Sequence, residues 1–215
     1  MDQSQESESG SLDRLSDLPD SLILEILLLL WEIRDVVRTT ILSKRWKDLW
    51  TTVPRLDFHF CDEDPNFIRG VLAQWKGAKI LNFSITFISH DPPSSDIIDS
   101  LLLLAMEKQV AQLTMLGILR GDFEDSVVNA VLGIWAPNLL NFILEAHLYG
   151  TCLLDVPSLT KATLIIDDPP PLETFEQLLR SIRHVEKLRL SDECIQLLHE
   201  MKEKDMVVQF SNANW

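Results

Sequence analysis

The sequence predicts an α+β chain of two modules, a small bundle of three short helices followed by an irregular solenoid of strand-forming repeats. Three observations carry this. Residues 19–54 show helical apolar spacing between helix-start and helix-stop signals. From Arg55 onward short β-type runs alternate with helical stretches, and one apolar pattern returns five times. The chain of 215 residues is 46% hydrophobic, enough to build a sizeable core in one or two domains.

Residues Met1–Ser11 hold five Ser or Gly and three acids with a single apolar side chain, which predicts a flexible tail. A helix is predicted from Pro19 to Leu30. Asp17 can cap it, Pro19 has the φ of a first turn, and Asp20 favours the positive end of the helix dipole. Leu22, Ile23, Ile26, Leu27 and Leu30 form an apolar stripe, while Leu24, Leu28 and Leu29 cover the other side. A helix apolar nearly all round is covered on both sides, and here the second cover is expected from another chain. Arg34–Leu42 reads as a second helix. Ser43 is placed to cap a third, Lys44–Thr51, whose residues Leu42, Trp46, Leu49, Trp50 and Val53 follow helical spacing up to Pro54. Three short helices have little independent stability and need a neighbour. Expressed alone the chain is expected to aggregate.

The recurring pattern places apolar residues at i, i+3 and i+5. It runs through Ile80-Phe83-Ile85, Val110-Leu113-Met115, Leu139-Phe142-Leu144, Leu159-Ala162-Leu164 and Val185-Leu188-Leu190, at steps of 30, 29, 20 and 26 residues. This is the L-x-x-L-x-L core of a leucine-rich repeat, in which each strand stacks beside the last and the returning segment forms the opposite wall. Pro137-Asn138-Leu139 and Pro157-Ser158-Leu159 introduce two strands alike. Helical patterns fall between strands at Phe67–Trp75, Asp96–Met106, Leu172–Ile182 and Asp192–Met201. The alternative is an ordinary α/β sheet with accidental spacing. Met206–Phe210 is apolar enough for another β segment, and without a polar cap the last repeat, Val185–Trp215, is expected to be the least stable.

Composition and motifs exclude several functions. The formal charge of −14 repels phosphate and argues against a general nucleic-acid or anionic-membrane surface. Cys61, Cys152 and Cys194 are distant from one another and odd in number, so a reducing compartment is expected. The acidic N-terminus lacks a secretory signal pattern. The apolar run Leu22–Trp31 contains Glu25 and falls short of the roughly 20 residues of a bilayer span. Asn82-Phe83-Ser84 fits a glycosylation sequon by chance, since it sits in a strand pattern. The histidines His59, His90, His147, His184 and His199 form no zinc or nucleophile constellation, and His59-x-Cys61 is two ligands at most. Asp62-Glu63-Asp64 lacks the glycine and terminal Glu of a calcium loop, and Asp167-Asp168 precedes a proline turn. No glycine-rich phosphate loop occurs. No enzyme, cofactor or metal is expected. Glu32–Arg55 holds six basic residues interleaved with Trp46 and Trp50, and is read as a protein-docking surface with a basic rim.

Asp13-Arg14-Leu15-Ser16-Asp17-Leu18-Pro19-Asp20, then Val37-Arg38-Thr39-Thr40-Ile41-Leu42-Ser43-Lys44-Arg45-Trp46-Lys47-Asp48-Leu49-Trp50, then Val53-Pro54-Arg55-Leu56-Asp57-Phe58, resembles the F-box of the plant F-box/leucine-rich-repeat proteins. Leu104–Val110 and Ala136–Leu139 are similar to the same family's repeat region. The resemblance implies a tail at 1–11, an F-box at 12–58 and repeats at 59–215. It implies a substrate receptor of a Skp1–cullin–F-box ubiquitin ligase, located in the nucleus or cytoplasm, with an unknown protein target on the repeats. A non-ligase Skp1-binding or self-associating scaffold is the alternative. The residues expected to bind Skp1 are Leu18, Pro19, Ile23, Ile26, Leu27, Val37, Leu42, Trp46 and Trp50, some of them also serving as internal core. Trp31 stands where the family usually has a proline, which alters the first interhelical turn. The chain stops at Trp215, before the C-terminal domain of many relatives, and is expected to be a short form.

Overall fold

Between the helical segment and the C-terminus, apolar and polar residues alternate within short runs, which is the pattern of strands with one face in a core and one face out. The computed structural model describes residue 15 and residues 17–59, 64–89, 95–119, 131–146, 151–166, 169–206 and 208–211. It is a mixed α and β chain. The expected tail at Met1–Ser11, Cys61, Asp62-Glu63, His90, His147, Asp167-Asp168 and Ala213 lie outside the described residues, as does the side chain of Cys152.

Three short helices come first, α1 (Asp20–Leu29), α2 (Ile33–Arg38) and α3 (Lys44–Leu49). Pro19 (φ −59°, ψ 148°) precedes the first turn of α1, and no side chain caps it, so the cap expected from Asp17 is not made. Asp20 supplies the first-turn charge and pairs with Arg45 of α3. Ser43 holds the position ahead of α3 but makes no cap either. Its Oγ is buried without a hydrogen-bond partner among the described residues.

The predicted helices over 34–42 and 44–51 both tighten into 3₁₀ turns, Thr39–Ile41 and Trp50–Thr52. Threonine hydroxyls account for this. Thr39 donates to the Val36 carbonyl at 2.6 Å, Thr51 to that of Asp48 at 2.7 Å and Thr52 to that of Leu49 at 2.8 Å. Such back-bonding competes with the helical ladder at a helix end.

After these helices come β1 (Arg55–His59), α4 (Pro65–Gln74), β2 (Asn82–Ser89), α5 (Ser95–Glu107), β3 (Gln112–Leu119), β4 (Val131–Trp135), β5 (Asn141–Ala146), β6 (Thr151–Asp155), β7 (Lys161–Ile165), α6 (Leu172–Ser181), β8 (Lys187–Leu190) and α7 (Asp192–Glu203). Among the described residues, six strands form one parallel sheet in the order β1-β2-β3-β5-β7-β8. Its register places Leu56, Phe83, Leu113, Phe142, Ala162 and Leu188 in one row, and Phe58, Ile85, Met115, Leu144, Leu164 and Leu190 in the next. These are the i+3 and i+5 positions of the repeat. The i positions Ile80, Val110, Leu139, Leu159 and Val185 are all buried.

Successive coils are joined the same way at the strand starts. The carbonyls of Pro54, Ala111, Leu140 and Thr160 each accept two consecutive amides of the following coil, at 2.7–3.2 Å. The two turns expected to be alike are alike, with Leu139 N–H donating to Ala136 at 3.1 Å and Leu159 N–H to Val156 at 3.0 Å.

The sequence reading missed a sixth copy. Val53-Leu56-Phe58 has the same spacing, lies 27 residues before Ile80 and is buried throughout. Its strand β1 pairs with β2, so the sheet begins inside the segment expected to end the helical module at residue 58. The pattern was hidden because those residues also complete the F-box resemblance.

Helices return the chain where helices were expected, but β4 and β6 were not foreseen. They pair in parallel as a second sheet on the return path of the shorter coils. A strand rises about 3.3 Å per residue and a helix 1.5 Å, so a coil of only 20 residues crosses the molecule more economically as strand. α6 packs on β6, and α7 covers β7 and β8.

Met206, Val208 and Phe210 do not form the expected β segment. Residues 206 and 208–210 carry no strand, and these three side chains pack partly against the core. At this end Leu188 and Leu190 are half-buried, whereas their row-mates Phe142 and Leu144 are buried.

The helical layer is tied to the first coil by Trp75, just after α4. Its Nε1 donates to the Val53 carbonyl at 3.0 Å. Residue 77 has to be glycine under this ring, because a Cβ there would lie 2.2 Å from a ring carbon.

Candidate docking surfaces

α1 is apolar on two faces, and the fold uses only one of them. Ile23 and Leu27 are buried, and Leu30 is half-buried, against the chain's own core. Leu22, Ile26 and Leu29, at i, i+4 and i+7, form the opposite stripe. Leu29 is 76% exposed and Leu22 43%. Trp31 beside them is 77% exposed, and Ile41, on the turn after α2, is 88% exposed. Single exposed apolar residues are ordinary; several large ones on one small helical layer mark a docking surface.

The nine residues expected to bind an adaptor fall into three groups. Ile23, Leu27, Trp46 and Trp50 are at most 2% exposed, and have no surface to give a partner. They belong to the internal core, because the layer has to rest on the sheet through its largest side chains. Leu18, Ile26 and Val37 are half-buried. Pro19 and Leu42 are exposed. Leu22, Leu29, Trp31 and Ile41 were missed as candidates. The apolar far side of α1 was the available signal for Leu22 and Leu29.

The expected basic rim is largely spent within the chain. Arg38 pairs with Asp35 at 2.9 Å and Arg45 with Asp20, while Arg34 stacks over Phe67 at 5.3 Å. Arg55 stacks over Trp31 at 5.2 Å and pairs with Asp57. Exposed pairs of this kind contribute little to stability.

A second surface is the outer face of the six-stranded sheet. Arg55, Asn82, Gln112, Asn141, Lys161 and Lys187 share one row across it, and Asp57, Ser84, Thr114, Ile143, Thr163 and Arg189 the next. These positions alternate with the core rows, so their polarity follows from the pleat. Two shallow grooves run along them. One of about 280 Å³ lies between Arg55, Asp57, Asn82 and Thr114, and one of about 320 Å³ between Asn141, Lys161, Lys187 and Arg189; Gln112 lines both.

Burial pushes the Asp57 carboxyl above its ordinary value of 3.8, with the Arg55 charge and hydrogen bond and the His59 charge opposing. A raised folded-state value means that the folded chain holds the proton more tightly than the unfolded one. This contribution to stability is therefore complete below the ordinary value and is lost as pH rises through the folded one. Asp57→Asn is expected to flatten the decline in stability just above pH 3.8, read as urea midpoints over a pH series. An unchanged slope would refute the assignment.

Among the described residues no group of three or more His, Cys, Asp or Glu side chains could hold a metal ion, and no helix is long and apolar enough to cross a membrane.

Comparison with known proteins places these surfaces in a family. The F-box protein At1g49610 of Arabidopsis thaliana is 30% identical over 191 residues, which is 83% of this chain and 44% of that protein. The chain belongs to the plant F-box/FBD/LRR family. The FBD-associated F-box protein At5g22730 is 62% identical over 45 residues (21% of this chain, 9% of that one). F-box/LRR-repeat protein 25 is 37% identical over 75 residues (35% and 29%); both are from Arabidopsis thaliana. The chain spans less than half the length of these F-box relatives. No family model and no solved structure matches it.

Proposed function

We propose that this F-box chain is the target-recognition subunit of a Skp1–cullin–F-box ubiquitin ligase, working in the nucleus or cytoplasm. The observation that carries the proposal is the unpaired apolar face on the helical layer, in a chain whose relatives are F-box proteins. That layer docks on the Skp1 adaptor through Leu22, Ile26, Leu29 and Ile41, with Leu18, Pro19, Val37 and Leu42 at the margin. Through Skp1 the chain meets the cullin. The strands beyond act as a leucine-rich-repeat solenoid whose outer face holds the target protein. The recurring rows and the shared coil-to-coil hydrogen bonds support that reading.

No bond-making chemistry is required of the chain. Holding a target beside the ubiquitin-charged enzyme raises the effective concentration of its lysines, so the receptor contributes geometry. The test is affinity capture of the full chain under proteasome inhibition, with mass spectrometry of what is retained. Skp1 and a cullin together are the expected result. Skp1 without cullin would overturn the ligase assignment in favour of a scaffold, and the absence of Skp1 would overturn both.

A further inference from the structure

The outer face of the sheet is not uniformly polar. At the β1 end the positive charge is matched, since Arg55 pairs with Asp57. At the β7–β8 end it is not. Lys161, Lys187 and Arg189 are exposed, line the 320 Å³ groove and have no ion-pair partner among the described residues, and no acid lines that groove. Lys161 and Lys187 are register partners on adjacent strands, about 4.8 Å apart, and Arg189 stands two residues further along, about 6.6 Å. Three cations this close repel one another, at a cost that an anionic occupant would relieve. In a chain of net charge −14 such a patch is a local reversal of sign.

The floor of the groove adds a second requirement. The Oδ1 of Asn141 is buried and accepts no hydrogen bond among the described residues. An acceptor left unmatched in a groove needs an N–H donor from its occupant. A free phosphate brings negative charge but no N–H. An extended peptide brings both, with backbone amides for Asn141, Gln112 and Thr163 and side-chain carboxylates for the cations. A nucleic acid is disfavoured, because its long charged backbone would meet the acidic remainder of the surface, whereas a short segment confined to the groove would not.

We infer that the β7–β8 end of the sheet is a docking site for an extended acidic segment of a partner protein, its Asp and Glu side chains held by Lys161, Lys187 and Arg189. This rests on the reading of the outer sheet face as the target surface. Four strands span about 14 Å, which admits about five extended residues.

The probe is a fluorescein-labelled hexapeptide of alternating Glu and Asp, titrated by anisotropy into the full chain co-expressed with Skp1. A Gln/Asn hexapeptide and a phosphoserine hexapeptide serve as comparisons. The acidic peptide is expected to bind, to weaken several-fold between about 50 and 200 mM salt, and to weaken about tenfold or more in Lys161→Gln/Lys187→Gln/Arg189→Gln. Arg69→Gln/Lys76→Gln/Lys79→Gln removes the same charge away from this face and is expected to leave binding unchanged. Absence of binding, equal loss in both variants, equal binding of the Gln/Asn peptide, or tighter binding of the phosphoserine peptide would overturn the inference. Skp1 is scored in the same samples. Skp1 retained with no peptide bound strikes this inference alone, and peptide bound with no Skp1 strikes the receptor reading alone.

Discussion

Trp50→Ala is expected to lower the stability of the chain by about 3–5 kcal/mol, the usual cost of emptying a packed aromatic site. The indole is 1% exposed and sits on the turn between α3 and β1, three residues before Val53 begins the first coil. Helical layer and sheet thus share one core at this point. Set against a typical domain stability of about 5–15 kcal/mol, the loss threatens the fold as a whole. Urea unfolding followed by far-UV circular dichroism measures it without relying on the removed fluorophore. A cost below about 1 kcal/mol would show that the indole is not part of a close-packed interior.

The second large effect is on association. Leu29→Asp combined with Ile41→Asp changes two side chains that are 76% and 88% exposed, so the unfolding midpoint is expected to stay nearly constant. Capture of Skp1 is expected to fall at least about thirtyfold, since each large apolar side chain lost from such an interface is worth about 1–3 kcal/mol. Ile23→Asp is the contrasting variant. It places a charge at a position with no exposed surface, on the other face of the same helix, and loses Skp1 by unfolding. Unchanged capture by the Leu29/Ile41 variant, with the fold intact, would remove this face as the docking surface.

The contrast between Ile23 and Leu29 shows where reading residues along the chain stops. Both are leucine-like positions on one ten-residue helix. Periodicity says that α1 is apolar on two faces, and nothing in it says which face meets the chain's own core. The same holds for Trp46 and Trp50, which as large aromatics fit a partner surface as well as an interior. Only the packing of α1 on α3, and of α2 on β1, separates them.

The repeat rows were legible because their signal is local and redundant. An i, i+3, i+5 spacing repeated down the chain sets which side chains point inward, and a strand shifted by one residue would turn its whole apolar set outward. Helices α4 to α7 were legible for the same reason, since an amphipathic period needs only its own residues. Caps were not: whether Asp17 or Ser43 reaches a free amide depends on an approach direction set by the neighbouring elements. The strands β4 and β6 also lay beyond local reading, because the choice of strand over helix on a return path depends on the distance the coil must cross. The groove between β7 and β8 is the clearest case. Lys161, Lys187 and Arg189 are up to 28 residues apart in the chain, and an acidic composition conceals them. Pairing in register brings their charges onto one face, because electrostatic repulsion acts through space and is invisible to sequence distance.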